Sequence, residues 1–312
     1  MIISATRRTD IPSYYGEWFV NRLRDGYVLI QNPYNANRYS KALLTLEAVD
    51  IIVFWTKNLK PFLKYLPQID ERGYPYYFQF TLTPYGKETE KRLPNKEELI
   101  ETFINLSKRI GKKRVVWRYD PIILSEIYTI NYHAERFEYM AKKLSGYTDM
   151  CVISFVDNYK NITTRMGKDP AYNMTHDNIF ELAKILSQIA KKYDIKLSTC
   201  AEEINLDNFG ISHGSCIDKK LIEDILGKNI NVKKDKNQRK ECDCIESIDI
   251  GTYNCCANGC NYCYALKSEK SSFSNMAKHN PNSAVLIGDV NPNAVITNRD
   301  SVSIVESQMS LF

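Results

Sequence analysis

The segment Asp50-Ile51-Ile52-Val53-Phe54-Trp55 contains the longest clearly apolar run of the chain, and it is the best guide to the architecture. A short strand made almost entirely of apolar residues is typical of a parallel sheet, because helices cover both faces of such a sheet. Similar runs rich in β-branched and aromatic residues predict six more strands of this kind. They lie at residues 2–5, 27–31, 76–81, 114–119, 150–155 and 196–200.

Helical patterns separate these strands, at residues 15–24, 59–65, 96–110, 132–144 and 175–193. Regular alternation of strands and helices indicates an α/β protein. Seven strands within about 200 residues favour a (β/α) barrel, complete or partial, similar to a TIM barrel. The alternative is a doubly wound open sheet, which is weakened because no Gly-x-Gly-x-x-Gly follows the first strand.

Composition limits the class of protein. The chain has 312 residues, an ordinary apolar fraction of 44% and a mild net charge of +5. No apolar run approaches the roughly 20 residues that span a bilayer, so we expect no membrane partner. The nine cysteines are odd in number and no signal peptide is visible, which favours a reducing, cytoplasmic location over a secreted disulfide framework.

The sequence divides into four predicted regions. Residues 1–226 form the barrel, 227–241 a basic linker, 242–296 a cysteine-rich iron-sulfur module and 297–312 a tail. Between Lys228 and Lys240, six lysines and arginines stand against Asp235 alone. Such a stretch either contacts phosphates or is simply a solvated linker.

The run Cys256-Ala-Asn-Gly-Cys260-Asn-Tyr-Cys263 carries the clearest chemical signal. Three cysteines spaced Cys-x3-Cys-x2-Cys on one loop can hold three irons of a 4Fe-4S cluster, because thiolate sulfur is the ligand that such clusters require. The fourth iron is then open to another ligand. Structural zinc is the alternative, but such sites usually pair two cysteine knuckles, and only Cys260 and Cys263 form one here.

This motif, with Tyr262 just before its last cysteine, resembles the cluster motif of the radical S-adenosylmethionine (SAM) superfamily. The resemblance implies a radical-SAM-like barrel whose open iron binds the amino and carboxylate groups of SAM and cleaves SAM reductively. It also implies that Tyr262 lies beside the adenine and that a reductant such as ferredoxin or flavodoxin supplies electrons.

The position of the motif departs from that superfamily, where it lies near the start of the barrel and is followed by a Gly-Gly-Glu segment. Here the motif is C-terminal and that segment is missing. Residues 248–251 predict an eighth short strand just before the motif. We therefore expect a circular permutation in which this strand lies beside residues 2–5, with the cysteine loop at the carboxyl ends of the strands.

Four more cysteines fall near the same end of the predicted barrel: Cys200, Cys216, Cys242 and Cys244. Together they can form a closed site for a second iron-sulfur cluster or for zinc. The alternative is that some are ordinary buried cysteines, the role that we expect for Cys151 in its apolar strand. Cys255 adjoins Cys256 and points another way, so we do not expect it to be a ligand.

Charged residues follow the predicted strands, where the chemistry of a barrel gathers. Guanidinium groups suit phosphate and carboxylate, so the arginines and one lysine predict an anionic substrate such as DNA or a nucleotide. The aspartates would orient the arginines or transfer protons. The alternative is a set of salt bridges that closes the barrel mouth. The predicted catalytic residues are Arg7, Arg8, Asp10, Lys57, Arg118 and Asp120.

The last five residues, Gln308-Met309-Ser310-Leu311-Phe312, resemble the pentapeptide by which bacterial polymerases and repair proteins bind the sliding clamp. A short extended peptide that buries two large apolar side chains is a common docking mode. The resemblance implies a protein that works on DNA. The alternative is a frayed terminus.

The whole chain resembles an uncharacterised prokaryotic family catalogued as domain of unknown function 1848. The resemblance is carried by the closing cysteine array and by four motifs: Ser4-Ala-Thr-Arg7-Arg8-Thr9-Asp10-Ile-Pro12, Asn32-Pro33-Tyr34, Phe54-Trp55-Thr56-Lys57-Asn58 and Trp117-Arg118-Tyr119-Asp120-Pro121. We therefore predict an iron-sulfur, radical-SAM-like enzyme that acts on DNA or nucleotides in repair, similar to the spore photoproduct lyases, and is tethered to the clamp. The alternative is a non-catalytic iron-sulfur or zinc protein that binds nucleic acid or senses redox state.

Overall fold

The computed structural model describes residues 1–157, 160–166 and 174–306, which form an α/β fold. The strands are β1 (Ile2–Ala5), β2 (Tyr27–Asn32), β3 (Asn35–Leu43), β4 (Ile51–Thr56), β5 (Tyr76–Thr81), β6 (Val115–Ile122), β7 (Met150–Phe155), β8 (Lys196–Cys200), β9 (Ser212–Gly214), β10 (Ile248–Asp249) and β11 (Val295–Asn298). The helices are α1 (Ile11–Tyr14), α2 (Gly16–Asp25), α3 (Leu66–Glu71), α4 (Lys96–Ile110), α5 (Ile130–Leu144), α6 (Lys160–Met166), α7 (His176–Lys192), α8 (Lys219–Leu226) and α9 (Glu269–Met276).

Eight strands form one parallel sheet in the order β10-β1-β4-β5-β6-β7-β8-β9. From β1 onward, the strands follow one another across the sheet in the order of the chain. The parallel sheet predicted from the apolar strands is therefore confirmed. Its first strand in space, however, comes from the C-terminal part of the sequence.

The pairing of β10 with β1 places a strand from the C-terminal part of the chain beside its first strand. Ile3 lies opposite Ile248, and Ser4 lies opposite Asp249, in parallel register. The expectation that a strand at 248–251 lies beside residues 2–5 is thus confirmed. Since the strands are parallel, the chain leaves β10 at the same edge of the sheet at which it leaves β1.

A second sheet contains β2, which the sequence placed in the parallel sheet. That placement is wrong: β2 pairs antiparallel with β3, and β11 joins β3 in parallel. A two-residue turn at Pro33 and Tyr34 connects β2 to β3. The tight turn makes the next strand in the chain the antiparallel partner, since a parallel pairing requires a much longer connection.

The two faces of the parallel sheet have different coverings. On one face, Phe54, Phe78 and Trp117 pack in a large core together with apolar side chains from α2, α4, α5 and α7. On the other face, Val53 and Tyr77 pack in a smaller core with residues of the segment 216–245, which includes α8.

Among the residues that the structure describes, no helix has the length and apolarity needed to cross a membrane.

Candidate functional site

A cavity of about 510 Å³ opens at the carboxyl ends of the parallel strands. Every residue that the sequence predicted for a site lines it, including both groups of cysteines. These residues are Arg7, Arg8, Asp10, Lys57, Arg118, Asp120, Cys200, Cys216, Cys242, Cys244, Cys256, Cys260, Tyr262 and Cys263. The fold thus gathers side chains from opposite ends of the sequence at the edge where α/β proteins place their sites.

The cysteine loop is anchored on the segment that follows β5. Arg92 N–H donates to the Asn258 carbonyl at 3.1 Å, and Asn261 N–H donates to the Thr89 carbonyl at 2.9 Å. Glu90 and Cys260 form an isolated antiparallel bridge between these hydrogen bonds. The loop therefore has a backbone partner on one side, which holds the cysteines over the strand ends.

Arg165 of α6 holds the other side of the loop. Its Nε donates to the Asn261 carbonyl at 3.1 Å, and its two terminal nitrogens donate to the carbonyls of Cys263 and Leu266. Burial lowers the pKa of this guanidinium. A single guanidinium group thereby binds three carbonyl groups of the loop.

Asp10 is a structural centre of the site. Its carboxylate accepts hydrogen bonds from Ser13 N–H at 3.0 Å, Thr56 Oγ1 at 2.8 Å and Lys57 N–H at 2.8 Å. It also accepts one from Asn258 Nδ2 at 3.2 Å. Burial raises the pKa of Asp10 despite these donors. The residue connects α1, the end of β4 and the cysteine loop.

Glu90, which the sequence did not single out, is buried and accepts from two lysines. Lys57 Nζ lies 2.9 Å from one carboxylate oxygen and Lys96 Nζ lies 2.5 Å from the other. The hydroxyls of Thr83 and Tyr262 donate to the same carboxylate. Burial alone would raise the pKa of Glu90, but the lysines outweigh it and hold the pKa at about 2. This network fixes the Tyr262 ring, over which Lys57 Nζ lies at 5.3 Å.

The three motif cysteines line the cavity, Cys260 as a buried thiol and Cys256 and Cys263 as half-buried thiols. Burial raises the pKa of Cys256 well above its usual value and raises the pKa of Cys260 to about 12. Burial likewise raises the pKa of Cys263, against the opposing effect of Arg165. In a metal site the ion itself removes such a proton, because thiolate is the form that binds.

The second group of cysteines forms a chain of thiol contacts. The Sγ atoms of Cys200 and Cys216 lie 2.9 Å apart, and thiol hydrogen bonds connect Cys216 to Cys244 and Cys244 to Cys242. Hydrogen bonds from both neighbours lower the pKa of Cys216 well below its usual value, and Arg118 Nη1 lies 2.9 Å from its sulfur. The hydrogen bond with Cys244 lowers the pKa of Cys242 to about 7.

The position of Cys216 is set by inward side chains of β5. Tyr77 Oη and Gln79 Nε2 each donate to the Cys216 carbonyl at 2.8 Å. This loop follows β9, and Ile245 N–H just before β10 donates to the Ile217 carbonyl at 3.2 Å. The outer strands of the sheet are β9 and β10. The second group of cysteines therefore lies where the segment after β9 meets the segment before β10.

The predicted cations have different partners. Arg118 forms a salt bridge of 2.5 Å with Asp120, and Lys57 is paired with Glu90. Arg8 Nε lies 3.8 Å from Asp249. Arg7 Nε is buried and has no hydrogen-bond partner among the described residues.

Asp249 is a further residue that the sequence did not single out, and it joins β10 to β1. The only sequence feature that pointed to Asp249 was its position in the predicted strand at residues 248–251. The groups that donate to its carboxylate are Ser4 Oγ, Thr6 Oγ1 and the N–H groups of Arg7 and Gly251. Asp249 thus fixes the backbone of the segment that carries Arg7 and Arg8.

Cys151 and Cys255 do not line the cavity. Both are buried in the large core on the helix-covered face. All nine cysteines are free thiols. Cys151 is therefore the ordinary buried cysteine expected from its apolar strand.

The donor set fits an iron-sulfur cluster in its chemistry. Within residues 1–157, 160–166 and 174–306, no group of three or more His, Cys, Asp or Glu side chains is placed to hold one metal ion. A 4Fe-4S cluster makes a different demand, since each cysteine binds a different iron and the sulfurs need not converge on one point. Cys256, Cys260 and Cys263 provide three such sulfurs on one cavity wall.

The fold and site define an α/β protein with a parallel sheet and a cysteine-lined cavity at its carboxyl edge. The chain belongs to the family described as Domain of unknown function (DUF1848), whose model matches residues 2–265. The match begins at β1 and ends just after Cys263, so it contains the whole cavity wall. No curated protein and no solved structure matches the chain.

Proposed function

We propose that the protein is an iron-sulfur, radical-SAM-like enzyme that acts on DNA or nucleotides. One observation carries the proposal: the Cys-x3-Cys-x2-Cys loop leaves the strand next to β1 and faces a cavity at the carboxyl ends of the sheet. Three soft thiolate donors on one loop suit a 4Fe-4S cluster with an open iron. Tyr262, held by Glu90, would lie beside the adenine of SAM.

The proposed architecture is a partial, circularly permuted barrel. From β1 onward the strands lie in sequence order, and the large core with α2, α4, α5 and α7 lies on one face only. A doubly wound sheet would reverse its strand order. In a barrel the sheet face opposite the large core becomes the interior. Segment 216–245 fills that face here.

The residues of this chain would divide the chemistry as follows. When bound, the cluster would supply one electron from an external reductant, such as ferredoxin or flavodoxin, and an open iron for SAM. Arg7 and Arg8 would bind the anionic groups of the substrate, since Lys57 and Arg118 form close ion pairs with carboxylates, whereas Arg8 lies 3.8 Å from Asp249. Asp10 would position the loop through Asn258. The buried walls would exclude water from the reacting groups.

The second group of cysteines would hold an auxiliary iron-sulfur cluster or zinc. Four thiols from three segments contact one another at the same cavity. Four cysteine sulfurs are a usual ligand set for either centre, but a single zinc ion would require these sulfurs to move closer together, because no three of them surround one point in the described part of the chain. In the non-catalytic alternative this centre and the motif cysteines would only bind metal, without consuming SAM.

Anaerobic reconstitution with iron and sulfide tests the proposal. We expect a brown protein with the visible absorption and electron paramagnetic resonance signal of a 4Fe-4S cluster, and 5′-deoxyadenosine formed from SAM under dithionite. Cys260→Ser should lose the SAM-dependent product and about four irons, the content of one such cluster. Cys151→Ser is the matched control and should retain both the product and the irons, because the Cys151 thiol lies in the large core on the helix-covered face. A colourless zinc protein, or equal losses in the two variants, would refute the proposal.

A further inference from the structure

A second cavity, of about 650 Å³, adjoins the cysteine-lined cavity. It lies against the smaller sheet and is lined by Arg38 of β3, by Arg299 just after β11 and by the turn residue Pro33. Arg7 and Arg8 line both cavities, so the two spaces share a wall. We name this second cavity the arginine groove.

We propose that the arginine groove binds the phosphodiester backbone of a single-stranded nucleic acid and directs one of its nucleotides past Arg7 into the cysteine-lined cavity. The inference deepens the proposed function and rests on its placement of the reaction in that cavity. It assigns a substrate class, a polynucleotide strand, and a binding path outside the site.

The charges of the groove favour an anion. Arg299 Nε donates to Ser40 Oγ at 3.0 Å, and burial followed by the nearby charge of Arg8 lowers the pKa of Arg299. Two guanidinium groups that repel one another are stabilised by phosphate between them. The acidic side chains of the groove are already engaged: Asp235 accepts from Asn237 and Gln238, and Asp249 joins β1 to β10.

Arg7 provides the second, independent observation. Its Nε is buried without a hydrogen-bond partner in the described parts of the chain, although buried donors are almost always paired. Its backbone is fixed, because the Arg7 N–H donates to Asp249 and its carbonyl accepts from Tyr264. Its guanidinium lies 5.3 Å from the centre of the Trp55 ring. A buried donor without a partner, on a backbone held by hydrogen bonds at the border of two cavities, is suited to a phosphate oxygen.

The size and the aromatic rim favour a strand over a single nucleotide. Each cavity alone has the volume of a small-molecule site, so the pair can accommodate more than one nucleotide unit. Tyr34, in the turn beside Pro33, is 97% exposed, and Tyr253 at the cysteine-lined cavity stacks over Arg8 at 5.1 Å. Exposed aromatic rings beside arginines are the usual elements of single-strand binding.

Fluorescence anisotropy with the reconstituted protein and a labelled single-stranded oligonucleotide of about 12 nucleotides tests the inference. The variant Arg38→Gln/Arg299→Gln should bind about tenfold more weakly, and its slope of log K against log salt should become shallower by about 1.4, or 0.7 for each lost phosphate contact. The matched control, Arg24→Gln/Arg72→Gln, removes the same charge from exposed arginines that line neither cavity and should bind as the wild type does. Thermal melting confirms that both variants are folded.

The outcomes separate this inference from the proposed function. The wild-type protein prepared without iron should keep oligonucleotide binding, because no cysteine lines the arginine groove. Equal affinity of the two double variants, or a mononucleotide that binds as tightly as the strand, overturns the inference and leaves the iron-sulfur proposal standing. Normal strand binding by a protein that never forms a cluster supports the groove and refutes the enzyme.

Discussion

At the residue scale, the site depends on charges that are buried and compensated. Glu90 is 1% exposed, yet it remains ionised because Lys57 and Lys96 contact its two oxygens. Leaving a buried charge without its partner costs far more than the pair contributes in water. Glu90 also accepts from Tyr262, so the charge balance of the core and the position of the cysteine loop depend on the same carboxylate.

We expect Glu90→Gln to lower the free energy of unfolding by roughly 3 kcal/mol, since the neutral amide leaves two lysines without their counter-charge. Urea denaturation followed by circular dichroism measures the change. Glu98→Gln is the matched control: Glu98 also pairs with a lysine, at 2.8 Å, but Lys60 is 63% exposed. That variant should lose about 1 kcal/mol or less. Equal losses would show that the buried network contributes no more than a surface ion pair.

At the element scale, the short strand β10 carries the cysteine loop to the sheet edge. It has only two residues, so its position depends on Asp249 and on the close approach of Gly251 to Thr6, the residue just after β1. A Cβ atom at Gly251 would overlap the Thr6 side chain, which is fully buried and donates to Asp249. Glycine is required there because the backbone passes against a side chain that has no room to move.

Gly251→Ala should therefore lower the free energy of unfolding by about 1–3 kcal/mol, the usual range for overpacking a core. In a Thr6→Gly background the same change should cost less, because all three Thr6 atoms that the added Cβ would overlap are then removed, and this difference measures the contact directly. At Gly86 an added Cβ meets the carboxylate end of Glu88, which can move at the cost of its hydrogen bonds with Tyr128 and Gly86, so Gly86→Ala should cost less than Gly251→Ala. If the cost of Gly251→Ala is the same in both backgrounds, the overlap is not its cause.

At the scale of the whole molecule, the C-terminal part of the chain completes the structure begun by the N-terminal part. The segment 216–245 fills one face of the sheet, β10 adds its outer strand, and β11 completes the smaller sheet. Clamp binding by Gln308 to Phe312 stays a prediction, since these residues lie outside the described part of the chain.

Deleting residues 308–312 should abolish capture of the protein on immobilised bacterial sliding clamp, because the Leu-Phe pair supplies the buried contact of such peptides. Surface plasmon resonance measures the loss, and iron content and oligonucleotide affinity should be unchanged. Replacing Ser310 with Ala, which retains the glutamine and the two apolar residues, is the control and should still bind. Full capture of the truncated protein would end the clamp hypothesis.

The sequence by itself determined the parallel α/β sheet, since apolar strands such as Ile51–Thr56 and amphipathic helices such as Lys96–Ile110 follow from local periodicity. It also determined that Cys256, Cys260 and Cys263 belong to one motif, because their spacing is local. Only the tertiary structure decided that β2 leaves the main sheet, that Glu90 and Asp249 hold the loop, and that Arg7 lacks a partner. Those facts depend on contacts between residues more than a hundred positions apart, or on a turn that redirects pairing, and local sequence patterns carry no record of either.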